Sequence, residues 1–86
     1  MFRLWCKLID DSRHIVKQTT IVNDNPSVNR TKKIFDGIEE ACVFFDLGKP
    51  IWLDANVKEF KRHSKVRFNQ DNFIEHIDFS YMEVQV

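Results

Sequence analysis

Between Arg30 and Leu47 the apolar side chains return with the period of an α-helix. At 100° per residue, Thr31, Ile34, Phe35, Ile38, Ala41, Cys42 and Phe45 fall within an arc of about 120°. Lys32, Asp36, Glu39, Glu40 and Asp46 occupy the opposite side, with Lys32 and Asp36 one turn apart. Such a helix needs an apolar surface to lie on, and a chain of 86 residues has room for one core only. The ends are marked as well: Asn29 is placed to cap the N-terminus, and Gly48 followed by Pro50 reads as the stop. Gly37, inside the helix, costs about 1 kcal/mol relative to alanine. Close packing on a neighbouring element is the plain reason to keep it.

The surface for that helix comes from the flanking segments. From Phe2 to Ile9 the chain alternates, with Phe2, Leu4, Cys6 and Leu8 on one face and Arg3, Trp5, Lys7 and Ile9 on the other. Asp10–Arg13 is turn chemistry, His14–Val22 is rich in β-branched residues, and the pair reads as an antiparallel hairpin left by the loop 23–29. After the helix, Pro50–Leu53 reads as a short strand. Asn56, with Glu59 three residues on, reads as the capped start of a helix of one or two turns. Lys65–Phe68 alternates as a short strand, Phe73, Ile74 and Ile77 look like anchors, and Phe79–Val86 alternates as a final strand.

This order resembles the β-grasp, or ubiquitin-like, fold. It implies an α+β, β-grasp-like single domain over residues 1–86. Its mixed four-to-five-stranded sheet carries one long helix across one face (β-β-α-β-(β)-β), and the last strand lies parallel to the first. The fold hosts modifiers, electron carriers and adaptors alike, so it implies no function. The stretches RTKKIFDGIEEACVFFDLGKPIWL and EFKRHSKVRFNQDNFIEHIDFSYMEV are similar to a group of short uncharacterised bacterial proteins. That resemblance implies a stand-alone cytoplasmic protein and no activity.

Thirteen basic residues balance thirteen acidic ones, so no net field draws the chain to nucleic acid or membrane. The balance hides a gradient: residues 49–67 hold six basic and two acidic side chains, whereas residues 68–86 hold four acidic and no basic ones. Cys6 and Cys42 lie in apolar patterns, as reduced buried thiols of a cytosolic protein do. The opening MFRLWCKLIDD meets charge too early for a signal peptide, and the apolar run Ala41–Phe45 is far too short for a membrane span. His14, His63 and His76 lack metal-ligand spacing, and no glycine-rich phosphate loop occurs. These readings argue against an enzyme, a metal and a cofactor.

Two features remain for function. Alternation places Trp5, Trp52, Phe79 and Tyr81 on the sheet face away from the helix, where aromatics make anchors for a protein partner or a second copy. The segment 56–68 gathers Lys58, Lys61, Arg62, Lys65 and Arg67 around Phe60, His63 and Phe68, which a phosphate backbone and its bases could use. The periodicity of Val57, Phe60, Val66 and Phe68 assigns those apolar side chains to the core, leaving the cations as a solvated face paired with Asp71, Glu75 and Asp78. The reading is therefore a small non-catalytic module for protein–protein interaction or self-association. Weak RNA or single-stranded DNA binding through residues 58–67 is the alternative.

Overall fold

The computed structural model describes residues 2–86. Among them the chain forms strand β1 (Arg3–Ile9), strand β2 (Ile15–Val22), helix α1 (Arg30–Phe45), helix α2 (Asp54–His63), strand β3 (Lys65–Phe68) and strand β4 (Tyr81–Gln85). A short 3-10 turn, Gln70–Asn72, follows β3. The result is an α+β domain with one sheet in the order β2-β1-β4-β3. Every pairing is antiparallel, including β1 with β4. The mixed sheet with a last strand parallel to the first is therefore not what forms, and this departs from the β-grasp arrangement. Direction depends on where the chain re-enters the sheet after its long crossover, and periodicity does not encode that.

Both helices lie on the same side of the sheet, α1 over β1 and β2, α2 over β3. The core between them contains Leu4, Cys6, Ile34, Ile38, Phe45 and Met82, all buried as the alternation and the helical arc require. Phe35, at the margin of that arc, is half-exposed. Asn29 caps α1 by accepting from the Lys32 amide at 2.8 Å. The helix ends differently from the expectation. Asp46, with φ 58°, takes the left-handed C-cap conformation, and Leu47 N–H closes on Cys42 O at 2.8 Å. Gly48 has no such role. Gly37 lets α1 approach β1, since a Cβ there would stand 2.8 Å from Leu4 Cδ2.

Pro50–Leu53 is not a strand. Asn72 meets both backbone groups of Ile51: Ile51 N–H donates to Asn72 O at 2.6 Å, and Asn72 Nδ2 donates to Ile51 O at 2.7 Å. Asn72 Nδ2 also reaches Asn56 Oδ1 at 2.7 Å, and Asn56 Nδ2 donates to Arg67 O at 3.1 Å. Asn56 is thus the third residue of α2 rather than its cap, and it accepts from Leu53 N–H at 3.0 Å. The helix it opens is ten residues long, more than the turn or two expected. Phe73 and Ile77 are buried anchors, but Ile74 is 94% exposed. Among the described residues no buried side-chain polar atom lacks a partner.

Removing the side chain of Ile38, which is 3% exposed, should cost roughly 2–5 kcal/mol. An Ile38→Ala protein whose urea midpoint matches the wild type would take α1 off the sheet. The thiols give a second expectation. Burial pushes Cys6 up to about 12, helped by the field of Cys42, and burial pushes Cys42 up to about 11, helped by Glu75 and Glu39. Both should resist thiol reagents in the native protein and react once it unfolds. Folded values raised above the ordinary 9.0 mean stability that is whole below pH 9.0 and falls as pH climbs towards 11 and 12. Rapid labelling of either thiol in the folded protein at neutral pH would contradict this packing.

Candidate functional site

Opposite side chains in an antiparallel pair share a face, so the registers define the surface away from the helices. Trp5 lies across from Gln85 and Thr20, Lys7 across from Glu83 and Gln18, and Ile9 across from Tyr81. On the other side of β4, Arg67 faces Glu83 and Lys65 faces Gln85. With Arg3 on the same side of β1, the open face carries four cations and one carboxylate among the described strand residues.

That carboxylate organises the face. Glu83 is buried, and its Oε2 lies 3.3 Å from Lys7 Nζ, also buried. Its Oε1 lies 3.7 Å from Lys65 Nζ and 3.8 Å from Arg67 Nε, both on more exposed side chains. One negative charge thus serves three positive ones. Lys7 Nζ also sits 3.7 Å from the centroid of the Trp5 ring, a favourable cation–π distance. Trp5 is held on its other flank by its Nε1–H, which donates to Gln18 Oε1 at 2.9 Å. The indole is 38% exposed. The Arg67 guanidinium stands 5.2 Å from the Tyr81 ring.

The two sequence features are each divided by the fold. Of the four aromatics, Trp5 and Tyr81 share the open face. Trp52 is on the helix side, packed edge-on against Phe68 at 5.0 Å, Phe35 at 5.5 Å and Phe60 at 5.9 Å. Phe79 precedes β4 and packs on Phe73 at 6.1 Å. Of the five cations, Lys65 and Arg67 are on the open face, while Lys58, Lys61 and Arg62 are on α2. Their expected acidic partners are elsewhere: Glu75 accepts from Gly48 N–H, and Asp78 lies 3.5 Å from His76. Glu83, Lys7 and Arg3 were not singled out in the sequence. Arg3 and Lys7 do fall on the right side of the β1 alternation, but only the register of β4 brings Glu83 to Lys7.

A second concavity lies between the helices. It is a cleft of about 340 Å³ lined by Ile34, Phe35, Trp52, Val57 and Phe60, with Arg30 and Lys61 also in its wall. Among the described residues no group of three His, Cys, Asp or Glu could hold a metal ion. No helix among the described residues is long and apolar enough to cross a membrane.

The Lys7–Glu83 pair sets a stability expectation. Glu83→Gln leaves a buried ammonium without its counter-charge, which costs about 3–5 kcal/mol when one partner of a buried pair is lost. Replacing both, as Lys7→Met with Glu83→Leu, should recover most of that loss. Urea melts of the single and double variants measure the difference, and a neutral Glu83→Gln would mean that water already screens the pair. Comparison of the chain with protein-family models, with curated proteins and with solved structures finds no match.

Proposed function

We propose that this chain is a small non-catalytic binding module that holds single-stranded nucleic acid on the open face of its sheet. The observation that carries the reading is the convergence of Lys7, Lys65 and Arg67 on one buried carboxylate beside Trp5 and Tyr81. Surplus positive charge next to partly exposed rings suits a ligand with phosphates and stackable bases. A protein partner fits this face less well. Its contact would centre on an apolar patch, and two of the aromatics expected there, Trp52 and Phe79, are packed elsewhere. Non-catalytic action agrees with both thiols being buried and held protonated. The same reading places the protein in the cytosol, where free Cys6 and Cys42 stay reduced.

The surface is small, so binding should be weak and salt-sensitive. Engagement of three phosphates on a single strand predicts a log–log salt slope of about −2. Anisotropy of a labelled oligouridine gives the affinity. Lys65→Glu with Arg67→Glu should abolish it at moderate salt, and Trp5→Ala should lose about 1–3 kcal/mol for the stacked base. Lys58→Glu with Arg62→Glu, on α2, should change it little. Absence of salt-dependent binding, or binding lost only through the α2 changes, would move the function off this face.

A further inference from the structure

The sheet has two edges, and they are finished differently. At the β3 edge, side chains of α2 occupy the outward backbone groups of Arg67. Its N–H donates to Glu59 Oε1 at 3.2 Å, and its C=O accepts from Asn56 Nδ2 at 3.1 Å. At the β2 edge the register shows which groups point outward. Asn23 N–H donates to Phe2 O at 3.2 Å, so the odd-numbered residues of the regular part of β2 bond to β1. Gln18, Thr20 and Val22 therefore aim their N–H and C=O away from the sheet, with no partner among the described residues. The register breaks at Val16, and beyond that bulge the six residues from Lys17 to Val22 form an unpaired edge with one charge, a template for another strand.

We infer that the occupant of this edge is β2 of a second copy, paired antiparallel about a two-fold axis normal to the sheet. Such an axis keeps each side chain on its own face, so residues opposite one another must be both odd or both even. Centred on Thr19, this register lets Gln18 exchange backbone bonds with Thr20 of the second copy. The regular pairing runs from Lys17 to Ile21, and it leaves Val22 beside the bulged Val16 of the second copy, both exposed in the single chain. It also places Lys17, the one charge of the strand, opposite Ile21 rather than opposite its own mate, which would be unfavourable. One stretch thus supplies both halves of an isologous contact.

Helix α1 adds to it. Phe35 faces α2, touching Trp52. Phe44, nine residues on, lies half a turn round the helix, on the flank above the β2 edge, and is 63% exposed. The two copies of this flank would meet over the joined strands and shelter both Phe44 rings. The two-fold axis leaves both open faces on one side of an eight-stranded sheet. This inference does not depend on what those faces bind.

Sedimentation of the wild-type protein should show a particle of twice the chain mass that dissociates on dilution, with slow exchange of the Gln18 and Thr20 amides. Thr20→Pro removes an outward donor and no bond to β1, a position where an edge strand accepts proline. It should weaken dimerisation on the order of tenfold or more in the dissociation constant. As a second route, Thr19→Lys and Thr19→Glu put like charges against each other at the axis. Each variant should be monomeric alone, and an equimolar mixture should form the heterodimer. A wild-type monomer at millimolar concentration overturns the inference, as does a mixture of the two folded charge variants that stays monomeric. A dimer that survives Thr20→Pro with the Gln18 amide still exchanging freely also overturns it.

Discussion

Strand β4 follows the others in sequence yet lies in the interior of the sheet, and its pairing with both β1 and β3 is the constraint on which the rest depends. Without it, the β1–β2 hairpin and the α2–β3 unit share no strand contact. Met82 and Val84 face the helices and are fully buried, whereas Glu83 between them faces the other way. A slip of one residue would turn both apolar side chains out and drive Glu83 into the core. The ion cluster therefore works as a register device. Its net stabilisation is small because desolvation offsets the attraction, but a one-residue slip would bury that carboxylate without Lys7.

Much of this was legible wherever one element determined its own periodicity. The alternation of Phe2–Ile9, the β-branched run of β2, the helical arc of α1 and the four residues of β3 all took the form expected. Pro50–Leu53 misled because an apolar run after a proline reads as a strand, whereas the Asn72 side chain satisfies it from outside any sheet. The C-cap misled because glycine is the usual left-handed residue, and Asp46 adopts that conformation two residues earlier. Ile74 misled because hydrophobicity alone carries no direction, and the loop that Gln70 ties to Glu75 and Ile77 turns it to solvent.

The candidate site was less legible, for a physical reason. Alternation assigns a face only inside a strand, so it held for Trp5 and Tyr81 and failed for Trp52 and Phe79, which lie outside any strand. The basic block was read as one feature because its residues are contiguous, yet it crosses from α2 into β3 at Ser64. Contiguity in sequence divided into two surfaces, and two of the four aromatics joined two of the five cations on the open face. Which carboxylate would answer the cations could not be read either. The acidic block offers four, and only tertiary register selects Glu83 over Asp71, Glu75 and Asp78.

The unequal edges follow from the same chain path. α2 runs into β3 through Ser64, whose left-handed conformation (φ 57°) folds the strand back beneath the helix. Asn56 and Glu59 are thereby hung over the outer groups of Arg67, and that edge is closed by residues already next to it. β2 has no such neighbour. Its chain leaves through the loop 23–29 and returns as α1 across the sheet face, where Gly37 lets the helix sit close over Leu4 and Ile21. The close approach that buries the core thus leaves β2 with a face covered only at Thr19 and Ile21, and with a bare edge. That bare edge is the one at which we infer that a second copy pairs.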